Sequence, residues 1–168
     1  IHYFTTVNLL ALILIGSLIT VLQRNPAWAS RKSLYETDMI NLDSSAKAHS
    51  LLAQYYAGNV RKMQAKISNN QGPNSAQIEA LNRKLNEAIY HFTICTEIDS
   101  NYAVSFNNLG AMYFLYKGNV DSARINFRRA LVLDSNYVEA NFNVGNTYLE
   151  EYKIIYPLYD LTNGIRDT

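Results

Sequence analysis

The sequence has little of the chemistry that marks a function by composition alone. It contains one cysteine, Cys95, so a disulfide within the chain is impossible. Its 15 Lys and Arg nearly balance 14 Asp and Glu, and the net charge of +1 lacks the basic excess of a dedicated nucleic-acid-binding protein. Arg124, Arg128 and Arg129 do cluster, but their spacing is typical of a solvated helix face. We therefore predict no nucleic-acid partner.

Groups that perform catalysis or hold a metal are also scarce. The three histidines, His2, His49 and His91, are scattered along the chain, which does not favour a shared metal. Glu150 and Glu151 are adjacent and project to different sides of a helix, so they do not suit a paired general acid and base. Because no phosphate-binding loop or nucleophile-base pair is found either, we predict no catalytic, cofactor-binding or metal-binding residues in this chain.

One long hydrophobic run lies near the start of the chain. Residues 4–22 contain no charged side chain, and at about 1.5 Å per residue this run nearly matches a hydrocarbon core of about 30 Å. A membrane-spanning helix is favoured over the buried core helix of a soluble protein, which would normally show a polar stripe. A cleaved signal peptide is the stronger alternative, because Ala27-Trp28-Ala29 resembles a small-x-small cleavage site. Against cleavage, no basic residue precedes the run and Arg24 follows it.

A segment repeated after 35 residues organises the rest of the chain. The stretch from Ile98, IDSNYAVSFNNLGAMY, aligns without a gap on the stretch from Leu133, LDSNYVEANFNVGNTY. An earlier copy of the same boundary begins at Leu42, 56 residues before Ile98, so that copy carries 21 additional residues. Cys95 occupies the small-residue position that Ala130 fills one repeat later, which predicts a buried core thiol.

Between these boundaries, apolar and small residues recur at helical spacing. The apolar stripe consists of Leu109, Tyr113, Phe127 and Leu131. Gly110 and Ala123 are small at the points where two helices must approach closely. We therefore expect Gly110 to pack tightly against Ala123 or Phe127.

This pattern resembles the tetratricopeptide repeat (TPR), a helix-turn-helix unit of about 34 residues that stacks into a solenoid. The matching positions are Phe106, Leu109, Gly110, Tyr113, Gly118, Ala123, Phe127 and Ala130. Ser135 replaces the closing proline, and Ala123 sits one place late, so we expect a lengthened turn around residues 116–120. The resemblance implies an all-α fold, a TPR helix-turn-helix solenoid preceded by one transmembrane helix.

These signals divide the chain into four parts. We predict a transmembrane helix at 1–23, a linker helix packing on the repeats at 24–44, a TPR domain at 45–152 and an irregular tail at 153–168. The TPR domain is expected to contain repeats at 45–100 and 101–135 and a partial repeat at 136–152. Because the chain begins at Ile1 rather than at a methionine and its last repeat is half finished, we expect it to be a piece of a longer protein.

The predicted helices cover residues 4–23, 26–41, 45–67, 76–98, 102–116, 120–133 and 137–152. In the linker, Asn25 is the expected N-cap and Pro26 the first helical residue. Its apolar residues Trp28, Leu34, Tyr35 and Met39 are expected to bury against the first repeat. Residues 69–75 are expected to form a polar loop, and Pro157 is expected to end the last helix.

The first helices of such repeats line a concave face that solenoids commonly use for binding. Carried over position by position, the resemblance places a peptide-binding groove at Lys47, Ser50, Gln54, Asn107, Asn108, Ala111, Phe114, Phe142, Asn143, Asn146 and Leu149. Asn108 and Asn143 match positions where repeat domains that grip carboxylate tails carry Asn. The cations of such a clamp are missing, since Phe142 and Asn146 stand in their place, so a carboxylate clamp is not predicted.

A second resemblance concerns the junction before the repeats. The series Arg24-Asn25, Trp28, Leu34-Tyr35, Ser45-Ala46-Lys47-Ala48-His49 and Leu51-Leu52-Ala53 is similar to the junction between the last membrane helix and the repeats of bacterial transmembrane and TPR-containing O-mannosyltransferase-like proteins. It implies that any glycosyltransferase part lies upstream of this chain.

Two functional classes follow from these observations. The first is a membrane-anchored protein-interaction domain, the C-terminal accessory part of a multi-pass glycosyltransferase-like protein. The second is a free-standing anchored or secreted TPR scaffold without an enzyme. The cations after residues 4–22 favour repeats on the cytoplasmic side of the membrane. The resemblance to the mannosyltransferase-like proteins implies the extracytoplasmic side. We expect the extracytoplasmic side, because in a multi-pass protein the preceding spans set the orientation of a late helix.

Overall fold

A computed structural model describes residues 2–68 and 72–163. Over these ranges the chain is all-helical and contains no strand. Its helices are α1 (His2–Arg24), α2 (Arg31–Leu42), α3 (Ala46–Ser68), α4 (Ser75–Ile98), α5 (Ala103–Met112), α6 (Val120–Leu133) and α7 (Val138–Asn163). The chain divides into two compact units, Ile1–Asp43 and Ser44–Thr168. The predicted ends of α1, α3, α4 and α6 are confirmed to within two residues.

The first unit contains the hydrophobic helix α1. The apolar segment Asn8–Ala29 is long and apolar enough to cross a membrane, and 0% of its most apolar window is buried within the protein. Leu12 and Leu14, for example, remain 67% and 69% exposed. A core helix of a soluble protein would bury such side chains, whereas a membrane helix or a signal sequence would leave them exposed as they are here.

The start of α2 differs from the prediction. Residues Asn25–Ala29 form a 3-10 turn, and the N-cap of α2 is Ser30, whose hydroxyl accepts a hydrogen bond from the Ser33 N–H at 3.0 Å. The N-cap at Asn25 was therefore wrong, because Ser30 satisfies the free amides of the helix that actually forms. Trp28 is 69% exposed rather than buried.

The other apolar residues of the linker are only partly covered. Leu34, Tyr35 and Met39 are half-buried, and no residue of α2 is fully buried. The packing of this set against the first repeat stays a prediction.

The second unit begins with two long helices, each of which has a side-chain cap at its start. Ser45 Oγ accepts from the Ala48 N–H at 3.3 Å at the start of α3. Asn74 and Gln77 form a capping box at the start of α4, with bonds of 2.8 and 3.0 Å. Of the predicted polar loop at 69–75, residues 72–74 are non-helical and 69–71 lie outside the described ranges.

The repeated sequence folds the same way at both of its boundaries. Asp99 Oδ1 accepts from the Asn101 N–H, and Asp134 Oδ1 accepts from the Asn136 N–H, each at 3.0 Å. The N–H of Asp99 donates to the Cys95 carbonyl at 3.0 Å, and that of Asp134 to the Ala130 carbonyl at 2.9 Å. The shared Asp-Ser-Asn-Tyr sequence thus ends α4 and α6 in identical turns and starts α5 and α7 equivalently.

Small and aromatic residues occupy the core between α5 and α6. Phe127, Ala123 and Ala130 on α6 are 0% exposed. A Cβ placed on Gly110 would lie 2.7 Å from Cδ1 and Cε1 of Phe127 and 3.0 Å from the carbonyl oxygen of Ala123. The prediction that Gly110 packs tightly against these residues is confirmed, and the ring of Phe127 leaves no room for a side chain there.

An earlier helix pair repeats this core. Ala88 and Cys95 are 0% exposed and Phe92 is 1% exposed, which places them at the equivalents of Ala123, Ala130 and Phe127. Cys95 is a free buried thiol, as predicted. Its Sγ lies 3.1 Å from the Ala46 carbonyl and 2.9 Å from Ser105 Oγ, and burial raises the pKa of the thiol.

The extra residue that places Ala123 one position late is accommodated within a helix rather than in a longer turn between helices. Tyr113–Lys117 forms a π-helical turn, and the N–H of Gly118 donates to the Tyr113 carbonyl five residues back. Gly118 then ends the helix at φ 62°, a left-handed conformation that favours glycine. The lengthening of the chain that was expected around residues 116–120 is therefore found earlier, at 113–117. A wider helical turn there leaves the packing of α6 undisturbed.

Helix α7 is longer than predicted. It continues through Pro157 to Asn163, so the irregular tail is wrong for 153–163, and 164–168 lie outside the described residues. Proline removes one backbone donor but need not end a helix. No glycine and no second proline occurs between Pro157 and Asn163 to add a further break.

Gly110 and Gly145 provide a matched test of the packing. They are equivalent in the repeated sequence, but among the described residues nothing lies within 4 Å of a Cβ added at Gly145. Gly110→Ala is expected to lower the free energy of unfolding by about 1–3 kcal/mol through overpacking. Gly145→Ala is expected to raise it by about 0.5–1 kcal/mol, because alanine favours the helix. Equal effects of the two substitutions in chemical denaturation would contradict the close approach of α5 and α6.

Candidate functional site

A cavity of about 290 Å³ lies between α3 and α5. It is lined by Gln54, Ala57, Gly58, Arg61, Phe92, Asn108, Ala111, Met112, Leu115 and Tyr116. We call it the α3–α5 cavity. Three of the predicted groove residues, Gln54, Asn108 and Ala111, lie in its wall, so α3 and α5 both contribute to one concavity.

The lining of the α3–α5 cavity combines an apolar floor with a few polar groups. Phe92 and Met112 are buried at 1% and 6% exposure and form part of the floor. The amides of Gln54 and Asn108 offer both donors and acceptors, and Arg61 offers only donors. Such a mixture is typical of sites that bind ligands through an apolar contact and a few oriented hydrogen bonds.

Two predicted groove residues are buried instead. Ser50 is 0% exposed, and its Oγ accepts a hydrogen bond from Gln54 Nε2 at 3.0 Å. Asn107 is also 0% exposed. The prediction that these two side chains face the groove is wrong, because the rotation of α3 and α5 turns them into the interior.

Asn107 belongs to a polar network that connects α5 to Tyr137, in the turn before α7, and to α7 itself. Its Oδ1 accepts from Asn143 Nδ2 at 3.0 Å, and its Nδ2 donates to Tyr137 Oη at 3.4 Å. Burial raises the pKa of the Tyr137 hydroxyl. Asn107 and Asn143 therefore join α5 to α7 through a side-chain hydrogen bond.

The remaining predicted groove residues do not line the α3–α5 cavity. Lys47 is exposed near the start of α3, and Asn146 is half-buried on α7. Phe114 packs edge-to-face on Phe127, with ring centroids 6.5 Å apart. Phe142 and Leu149, also on α7, are 68% and 59% exposed. A groove that continues from the α3–α5 cavity to these residues stays a prediction.

The arginine cluster on α6 is only partly a solvated face. Arg124 donates to Thr147 Oγ1 at 3.1 Å and to the Thr147 carbonyl at 3.2 Å, and it forms an ion pair with Glu151. Its guanidinium also lies 4.4 Å from the centre of the Tyr148 ring. Arg124 therefore joins α6 to α7, which corrects the prediction for this residue, while Arg128 and Arg129 are exposed as expected.

The structure brings together two histidines that no sequence pattern pairs. His49 of α3 and His91 of α4 are 5% and 9% exposed, with their Nδ1 atoms 2.9 Å apart. The Tyr56 ring stacks parallel to His91 at 6.0 Å. In the part of the chain that the structure describes, no group of three or more His, Cys, Asp or Glu could hold a metal ion. The pair therefore serves as a hydrogen-bonded contact between the two helices.

Comparison with known proteins identifies no family for this chain. No protein-family model matches it, and no curated protein matches it significantly. Functional inference therefore depends on the geometry of the α3–α5 cavity itself.

Asn107 and Asn108 are adjacent but have different surroundings, which gives a direct test of these assignments. Asn107→Ala is expected to lower the free energy of unfolding by about 1–3 kcal/mol, because it leaves buried partners unsatisfied. Asn108→Ala is expected to change it by less than about 0.5 kcal/mol, as at other surface sites. Denaturant titration of both variants would measure the difference, and a larger loss for Asn108→Ala would reverse the assignment.

Proposed function

We propose that residues 45–152 form a TPR-type domain that binds an extended polypeptide in the α3–α5 cavity, and that α1 anchors this domain to a membrane. The observation that carries the proposal is the α3–α5 cavity, where Gln54 from one helix pair and Asn108 and Ala111 from the next line one concavity. The identical turns at Asp99 and Asp134 support a repeated unit.

The chemistry of the cavity fits a peptide better than a small hydrophobic ligand. Its amides can pair with the N–H and C=O groups of an extended backbone, whereas the apolar floor offers room for a side chain. At about 290 Å³ it is near the lower limit of small-molecule sites, and Gln54 and Arg61 are exposed at its rim. A peptide bound in the cavity would therefore enter and leave it along the protein surface.

For the whole protein, we propose an accessory domain of a multi-pass glycosyltransferase-like membrane protein, with the repeats on the extracytoplasmic side. The exposed apolar surface of α1 supports a membrane helix, and the similarity of residues 24–53 to the mannosyltransferase-like junction supports the enzyme context. The alternative is a free-standing anchored or secreted scaffold. Further apolar spans encoded upstream of Ile1 would support the first, and an initiator methionine just upstream would support the second.

Filling the α3–α5 cavity is expected to abolish peptide binding. Peptides would be selected from a random display library on the full chain in nanodiscs, then measured individually by fluorescence anisotropy. Ala111→Trp is expected to weaken their binding by about tenfold or more, because the indole occupies the apolar floor. Asn82→Ala, which removes an exposed amide on α4 outside the cavity, is the control.

Helical content by circular dichroism must be the same in the Ala111→Trp variant and in the unmodified chain. Selected peptides that bind the Ala111→Trp variant as tightly as the unmodified chain would place the binding surface elsewhere and contradict the proposal.

The side of the membrane can be measured with a single cysteine. Ser75 is exposed at the start of α4, so Ser75→Cys in a Cys95→Ser background provides one reactive thiol. We expect this thiol to react in intact cells with a reagent that cannot cross the membrane. The chain with only its native Cys95 should react slowly, because the thiol is buried and its pKa is raised. Labelling of the introduced thiol only after lysis would place the domain inside.

A further inference from the structure

The helices that line the α3–α5 cavity have an unusual distribution of charge. Helix α3 carries Lys47, Arg61, Lys62 and Lys66 and has no Asp or Glu. Residues 103–117, which form α5 and the π-helical turn, carry Lys117 and no acidic residue. The charged residues of these two walls are therefore all cationic. The chain as a whole has a net charge of only +1, and its carboxylates lie on other elements.

The acidic residues of the second unit's helices lie on the partners of these walls. Helix α4 carries Glu79, Glu87 and Glu97, and α6 carries Asp121. Helix α7 carries Glu139, Glu150, Glu151 and Asp160, of which Glu150 and Glu151 pair with Lys153 and Arg124. Helices α4 and α6 also carry cations, but among the described residues that line the cavity Arg61 is the one charged side chain and there is no carboxylate. This distribution of charge favours anionic partners.

Arg61 is the cation that lines the cavity itself. Its side chain is exposed, and among the residues that the structure describes it makes no ion pair or hydrogen bond. A guanidinium presents five N–H donors in a planar fork that matches a carboxylate in a bidentate pair.

The surface of α3 between Gln54 and Arg61 leaves room for a peptide to approach. Gln54 and Arg61 are seven residues apart on one face of the helix, or about 10 Å along its axis. Between them lie Ala57 and Gly58, and a Cβ added to Gly58 would meet nothing within 4 Å in the described structure. About three residues of extended peptide span the same distance.

We propose that the α3–α5 cavity binds an acidic peptide segment. An Asp or Glu carboxylate of the segment pairs with Arg61, and its preceding backbone bonds the amides of Gln54 and Asn108. This inference rests on the proposed peptide-binding function and specifies the chemical class of the partner. It differs from the carboxylate clamp considered for the sequence, because Arg61 supplies the cation from a position outside the predicted groove residues.

The experiment compares peptides of equal length that share their apolar residues and carry Glu, Gln or Lys at all other positions. Each has an uncharged dye, and its affinity for the full chain in neutral-lipid nanodiscs is measured by anisotropy. The Glu peptide is expected to bind at least about tenfold more tightly than the Gln peptide. Arg61→Gln should remove this preference, so that the Glu and Gln peptides bind the variant equally.

Matched variants separate a specific pair from general attraction. Arg83→Gln removes an exposed arginine of α4 outside the cavity and should retain the preference for the Glu peptide. Arg61→Lys keeps the charge but not the bidentate geometry and should give an intermediate affinity. Arg61→Glu should transfer the preference to the Lys peptide. Circular dichroism of each variant must match the unmodified chain, and an equal loss in Arg83→Gln would overturn the inference.

The outcomes distinguish this inference from the proposed function. Equal binding of the Glu and Gln peptides, with both lost in Ala111→Trp, would overturn the acidic-segment proposal and retain the peptide-binding function. Absence of binding by all peptides, including those selected from the display library, would overturn both. Displacement of the Glu peptide by a short oligothymidylate of equal charge would show a phosphate-binding surface and would also overturn the inference.

Discussion

The close contact between the Gly110 backbone and the Phe127 ring is the constraint on which the second unit depends. A Cβ at Gly110 would lie 2.7 Å from two atoms of that ring, which is itself 0% exposed and cannot move aside. This contact sets the separation and rotation of α5 against α6. Because successive residues of a helix point about 100° apart, Asn108 and Ala111 are then directed away from α6 and towards α3, where they line the cavity. The shape of the α3–α5 cavity thus depends on how tightly the opposite side of α5 packs.

The next helix is attached by different interactions. Gly145, the equivalent of Gly110, has open space around it, and α7 is instead held to α6 and α5 by polar contacts of Arg124 and Asn107. These contacts leave Phe142 and Leu149 exposed. The same sequence position therefore has two structural roles, and the proposed binding surface belongs to the elements whose packing is tight. Buried amide and guanidinium networks of this kind fix one arrangement because leaving any member unpaired is costly.

Much of the fold was predictable from the sequence because it depends on local signals. Helix ends followed turns such as the one at Asp99, and the small residue Gly110 indicated a close approach. The candidate site was only partly predictable. Asn107 was assigned to the groove by its repeat position, but its partners are 30 and 36 residues away, so no local pattern reveals its burial. Arg61 was missed for the converse reason: the repeat pattern ends before it, and only the folded arrangement places it in the cavity.

The central claim is that the surface between α3 and α5 binds an extended acidic segment. It is tested most directly by amide chemical-shift mapping of the isotopically labelled full chain in micelles during titration with the Glu-containing peptide. The account predicts that the largest shifts occur at Gln54, Gly58, Arg61, Asn108 and Ala111, with little change at the exposed positions of α6 and α7. Saturable shifts confined to residues around Arg128 and Phe142, with none at Arg61, would contradict it.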